Sequence, residues 1–150
     1  MNKAAYAYRQ DPSVPTFDDT GPIVFMDGDC ALCTTSARLI IRFDRVGAFR
    51  ICPIQTTTGR AVLCHYGLDP DSPESWLYLV DGEAYESLDA VIRVGSRLGG
   101  LGWLLQPLRL LPRSLQNWIY RHIARNRLRL FGRYDMCALP DATLRSRLME

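Results

Sequence analysis

Two cysteines three residues apart, Cys30 and Cys33, stand directly after a short apolar run and the turn residues Asp27-Gly28-Asp29. In the first turn of a helix, positions three apart share one side. Two sulfurs there can close a disulfide with little backbone movement and reopen it. The attacking species in such exchange is a thiolate, whose free pKa is about 8.5, and the unsatisfied N–H groups and dipole at a helix start favour that anion. Cys30 is nearer the start and is the expected nucleophile. Cys33, one turn in, is expected to be the more buried thiol, which attacks the mixed disulfide and releases the reduced partner. Asp27 is placed to accept and return the proton of the buried thiol. Asp29 reads as a turn or cap residue. Both carboxylates oppose thiolate formation wherever they stand close.

The same spacing is also half of a zinc site. The other half would have to come from Cys64-His65, Cys52 or Cys137, none of which forms a second knuckle. A pair of inert core cysteines is the third reading.

The flanking segments must put the pair at a strand-to-helix junction. Ile23-Val24-Phe25-Met26, bounded by Pro22 and Gly28, reads as a buried strand. A helix follows, with Ala37, Ile40, Ile41 and Phe43–Val46 as its apolar stripe, Asp29 or Cys30 as cap and Gly47 as stop. Ala48–Cys52 is a second strand, and Thr56-Thr57-Thr58 opens a short helix over about 59–66. Trp76–Val80 is the clearest strand. Asp81-Gly82 is a hairpin turn of the type that needs positive φ, leading into Ala84–Glu86. Ser87 is the expected cap of a helix to about Leu98 with Leu88, Val91, Ile92 and Val94 on its buried side. After a glycine break, a helical piece runs from Trp103 to Leu111 and a long helix starts at Pro112 and ends at Gly132. Leu115, Trp118, Ile119, His122, Ile123 and Asn126 are expected on its apolar face. Asp141 caps a last short helix carrying Leu144 and Leu148.

The order is β-α-β-α-β-β-α and then helices. The first βαβ implies parallel strands with a right-handed crossover, and the hairpin an antiparallel edge. This predicts an α/β protein, a thioredoxin-like mixed sheet with a C-terminal helical extension. The domain reading is a flexible arm over 1–20 and one domain over 21–150, of which 101–150 is a basic helical extension.

Composition agrees with one folded domain: of 150 residues, 47% are hydrophobic and 23% charged, which excludes a disordered or low-complexity chain. Charge is unevenly spread. Residues 1–100 carry nine basic and thirteen acidic side chains, and residues 101–150 nine and three. The cluster Arg125, Arg127, Arg129 and Arg133 has three readings: a solvated face, internal pairing with acids near the cysteines that would also steady a thiolate, or contact with nucleic acid or an anionic membrane. No nucleic-acid motif is present, and none is expected as a partner. The first seventeen residues lack the apolar run of a secretory signal and no stretch is long and apolar enough to span a bilayer; the expected location is the cytoplasm, with thiols reduced unless redox-active. Peripheral membrane contact and oligomeric state stay open. Of the remaining cysteines, Cys52 and Cys64 are expected to be buried and inert. Cys137 is either a third thiol near the pair or a small core residue.

Asp27-x-x-Cys30-x-x-Cys33 after a strand resembles the signature of the DCC family of thiol-disulfide oxidoreductases. The stretch Tyr120-Arg121-His122-Ile123-Ala124-Arg125-Asn126-Arg127 and on through Gly132-Arg133-Tyr134-Asp135-Met136-Cys137 resembles the family's end motif, as does Asp81-Gly82 with Tyr85–Ala90. The resemblance spans about residues 22–139. It implies a thioredoxin-like domain and a disulfide oxidoreductase with Asp27, Cys30 and Cys33 as active-site residues, no cofactor, and a protein or low-molecular-weight thiol or disulfide as partner. Two features depart from pattern. Met26 stands where the family commonly has an aromatic residue. Thioredoxin proper has a cis-proline immediately before its third strand, whereas Pro73 here is followed by Glu74-Ser75 before Trp76. A non-catalytic scaffold of the same fold is the rival from another class, and Cys30→Ser separates the two.

Overall fold

The computed structural model of the chain describes residues 3–72, 74–138 and 141–149. Its elements run β1 (Ile23–Met26), α1 (Ala31–Phe43), β2 (Arg50–Pro53), α2 (Thr57–His65), β3 (Leu77–Val80), β4 (Glu83–Glu86), α3 (Ser87–Leu98), α4 (Arg113–Phe131) and α5 (Ala142–Arg145), with 3-10 segments at Ala7–Gln10 and Gly100–Leu110. The sheet order is β2-β1-β3-β4, with β1 and β2 parallel and the other two pairings antiparallel. The protein is therefore mixed α/β, with the strand and helix order expected from the sequence, consistent with a thioredoxin-like fold.

All four residues of β1 are buried. Alternate side chains of a strand point to opposite faces, so both faces of the sheet must be covered. Val24 and Met26 join Ala37, Ile40, Ile51 and Leu144 on one face; Ile23 and Phe25 join Val62, Leu63, Leu77 and Leu79 on the other. Part of the second cover comes from the segment expected to be a flexible arm. Tyr8 is only 2% exposed, Val14 and Phe17 pack beside it, and the Tyr8 hydroxyl bonds the Asp19 carboxylate. The described part of that segment, residues 3–20, thus lies on the body.

Local chemistry sets most boundaries. Asp81 and Gly82 both have positive φ, at 50° and 77°, which supplies the tight hairpin between β3 and β4. Thr56 caps α2 by accepting from the Gly59 N–H at 3.0 Å. Asp141 accepts from the N–H groups of Thr143 and Leu144 and caps α5. The end of α1 comes earlier than its apolar stripe suggests: Asp44 turns the chain by accepting from the N–H groups of Gly47 and Phe49. Phe43 and Val46 are left exposed. Ser87, the expected cap, is instead the first residue of α3; Glu86 holds the cap position and makes no side-chain capping bond. The piece after the glycine break is a 3-10 segment with Pro107 inside it. It lies so close to α3 that a Cβ on Gly102 would run into the Gly95 carbonyl. Pro73 lies outside the described residues.

The largest difference concerns α4. Trp118 is 63% exposed, stacked on an exposed His122, and Phe131 is half exposed. The buried positions of the helix are Ala124 and Arg127. The expected apolar face is thus turned partly to solvent, because a buried cation rather than the aromatics sets the rotation of the helix.

Candidate active site

The parallel pairing of β1 with β2 brings their C-terminal ends together, and the chain after each end contributes to one small polar cluster. After β1 come Asp27, Gly28, Asp29 and Cys30; after β2 comes Gln55. Asp27 Oδ1 accepts from the Asp29 N–H at 2.9 Å and from the Gln55 amide at 2.7 Å. Gln55 Oε1 in turn accepts from the Gly28 N–H at 3.0 Å. Asp27 Oδ2 accepts from the guanidinium of Arg127, which arrives from α4. This ion pair is nearly dry: Asp27 is 8% and Arg127 6% exposed. Burial pushes the Asp27 carboxyl up, but the Asp29 N–H, the Gln55 amide and Arg127 together more than reverse it, leaving it below the usual carboxylate range.

Cys30 occupies the cap position of α1 and Cys33 lies one turn in. Both are free thiols. The Cys30 thiol is lowered to about 6, first by hydrogen bonding from the Cys33 thiol. Burial opposes this, and the N–H groups of Cys33 and Leu32 and the charge of Arg127 add to it. The same hydrogen bond, with burial, pushes Cys33 up. The two thiols are thereby split into an easily ionised and a reluctant one, chiefly by their mutual hydrogen bond. Exposure runs the other way from expectation: Cys30 is 0% and Cys33 9% exposed. The cause is a strap from the far end of the chain. Tyr134 N–H donates to the Asp29 carbonyl at 3.0 Å, Met136 N–H to the Gly28 carbonyl at 2.8 Å, and Ala31 N–H to the Gly132 carbonyl at 3.3 Å. Met136, within the strap, is fully buried.

The remaining expected residues separate. Arg127 reaches the cluster, whereas Arg125 does not; its Nε lies 2.6 Å from Glu74, which Arg121 also approaches. Asp29 is exposed and serves the turn through its backbone. Cys137 follows the strap, is exposed rather than core, and its thiol is pushed up by burial and by the charges of Asp135 and Asp29. Cys52 is buried as expected, while Cys64 is exposed. Gln55 was not singled out from sequence. Its signal is positional: the residue just past the second strand of a parallel βαβ unit faces the residue just past the first. Tyr120, half-buried on α4 with its hydroxyl donating to the Glu74 carbonyl at 3.1 Å, is a second neighbour that the apolar-face reading passed over. Among the described residues, no group of three or more His, Cys, Asp or Glu side chains is arranged to hold a metal ion. No helix among them is long and apolar enough to cross a membrane.

A family model described as DCC1-like thiol-disulfide oxidoreductase matches residues 24–133, a span that includes the Cys30-Cys33 pair, Gln55 and Arg127. The uncharacterized protein YuxK of Bacillus subtilis is 30% identical over 127 residues, 85% of this chain and 93% of its own length. A chloroplastic DCC family protein of Arabidopsis thaliana is 28% identical over 126 residues, 81% of this chain and 72% of its own. No solved structure matches significantly.

Proposed function

Because this chain belongs to the DCC1-like thiol-disulfide oxidoreductase family, we propose that it is an enzyme exchanging the Cys30–Cys33 dithiol with a disulfide on a protein or low-molecular-weight partner. The observation that carries this reading is the site itself: two free thiols at the cap and in the first turn of α1, beside a buried guanidinium and carboxylate, with Cys30 made acidic chiefly by its neighbour and Cys33 pushed up. The Cys30 thiolate attacks a partner disulfide, forming a mixed disulfide and expelling one partner thiol. Cys33 then loses its proton, attacks the Cys30 sulfur, and closes the Cys30–Cys33 disulfide as the second partner thiol leaves. Asp27 holds Arg127 beside the pair, and its carboxylate takes up the Cys33 proton. The scheme uses no cofactor.

One observation favours a second order of events. Cys33 is the slightly exposed thiol and Cys30 the covered one, so entry at Cys33 with resolution by Cys30 is the competing sequence. The experiment is a redox titration against glutathione read by mass after thiol trapping, on wild type, Cys30→Ser and Cys33→Ser. A two-proton mass change lost in both variants supports the dithiol enzyme, and thiols reduced at every potential refute it. Mixed disulfide accumulating in Cys33→Ser supports entry at Cys30; accumulation in Cys30→Ser supports entry at Cys33.

A further inference from the structure

A cleft of about 660 Å³ lies between α1, α3, the second 3-10 segment and α4, with Cys33, Tyr120 and Arg127 in its wall. Apart from Ser36 and three glycines its other lining is aliphatic or aromatic, and among the described residues no carboxylate lines it. We propose that this cleft receives the disulfide substrate of the Cys30–Cys33 pair, and that the substrate is a small lipophilic disulfide, its sulfurs carried on an uncharged aliphatic chain. The inference rests on the dithiol reading above and names its substrate class.

Three features argue for that chemistry. The first is charge complementarity. Among the described residues Arg127 is the one ionisable cation in the lining, and it stands in the same wall as Cys33. Negative charge develops on the sulfur that leaves during exchange, and a guanidinium stabilises it there. The second is the cost of anything more polar. A peptide-like thiol with several charges would leave most of them facing an apolar wall that, among the described residues, offers a single cation, and an unpaired buried charge is strongly disfavoured. The third is the rim. Leu39, Phe43 and Ile123 are about half exposed and Leu101 three-quarters, so an aliphatic chain along the cleft removes apolar surface from water that the protein alone leaves wet. The backbone contact of Gly95 with Gly102 sets the separation of two of the walls, giving a largely pre-formed site of ordinary ligand-pocket size.

In the reaction, a thiolate of the pair bonds to one ligand sulfur and the ligand S–S bond breaks, the far sulfur leaving as a thiolate that takes a proton. The second thiol of the pair then expels the remaining aliphatic thiol. Two electrons pass from the dithiol to the ligand, giving one protein disulfide and two aliphatic thiols.

The test uses n-alkyl methanethiosulfonates from methyl to octyl, which transfer an alkylthio group and release methanesulfinate. The rate is read on the peptide carrying Cys30 and Cys33. The cleft predicts a rate rising with chain length by up to about fourfold per methylene, the full value for burying a CH₂. In guanidinium-unfolded protein the slope should vanish. Leu101→Glu and Ile123→Glu, both at the exposed rim, should flatten it, whereas Leu110→Glu, more exposed and outside the cleft, should keep it. A native slope no steeper than the unfolded one, or a slope surviving both rim substitutions, overturns the proposal. The dithiol reading fails separately: the methyl reagent would then leave its adduct in place, with no Cys30–Cys33 disulfide and no methanethiol released.

Discussion

Replacing Arg127 by methionine takes the cation away from a carboxylate that has almost no solvent to turn to. Removing one partner of a buried ion pair costs about 3–5 kcal/mol. The lower end applies here, because Oδ1 of Asp27 keeps the Asp29 N–H and the Gln55 amide and methionine keeps most of the side-chain volume. About 3 kcal/mol is therefore expected at pH 7, a sizeable share of the 5–15 kcal/mol that holds a typical domain together. For a chain of this length it amounts to a fall in melting temperature of about 6–12 °C. The pH dependence has a definite sign. The folded Asp27 carboxyl lies below its unfolded value, so the pair contributes fully above the unfolded pKa of about 3.9 and is lost as pH falls through the lower folded one. Without Arg127, burial is opposed by two bonds only and the carboxyl moves up. The variant then sheds less stability than wild type on acidification, and the gap between them narrows from pH 7 to pH 4. Urea unfolding under reducing conditions at both pH values measures it. The double variant Asp27→Asn with Arg127→Met should recover much of the loss, since an amide needs no cation. A single variant within about 1 kcal/mol of wild type, a gap that ignores pH, or a double variant no better than the single would each refute the reasoning.

The thiolate absorbance near 240 nm should titrate with a midpoint at about pH 6 and move up toward the ordinary thiol value of about 8.5 in Cys33→Ala; an unmoved midpoint would mean the neighbouring thiol does not set it. Tyr8→Ala should cost about 3–5 kcal/mol in denaturant unfolding, as for other buried aromatics, and a neutral result would mean the N-terminal segment does not cover the sheet. Gly102→Ala should cost about 1–3 kcal/mol by calorimetry, because its Cβ meets backbone in α3 rather than a side chain that can swing away. In a maleimide time course Cys64 and Cys137 should label in the native state and Cys52 only on unfolding; early labelling of Cys52 would contradict its burial.

Elements signalled by neighbours in sequence were legible before any coordinates. The Asp81-Gly82 hairpin, the Asp141 cap and the strand–turn–helix around Cys30 depend on residues within a few positions of one another. The rotation of α4 was not legible. A periodicity argument sends arginines outward and aromatics inward, yet Arg127 is buried and Trp118 is exposed. What turns the helix is a carboxylate at the end of β1, and an attraction between distant residues leaves no local trace. Gln55 was missed for the same reason. The packing of residues 3–20 was not legible either, because their polar composition hides three apolar anchors, Tyr8, Val14 and Phe17. The burial order of Cys30 and Cys33 followed from α1 alone; the strap that reverses it comes from Gly132–Met136.

That distance has a consequence during synthesis. Asp27 and Arg127 are 100 residues apart, so at the usual 5–20 residues per second a ribosome needs about 5–20 s to travel between them. A nascent chain halted at residue 126 already carries both cysteines, but not the guanidinium that helps ionise Cys30 nor the strap that covers it. The full acidity of the pair comes only once translation has moved well past the motif, and each newly made molecule gains its complete chemistry late in its own production.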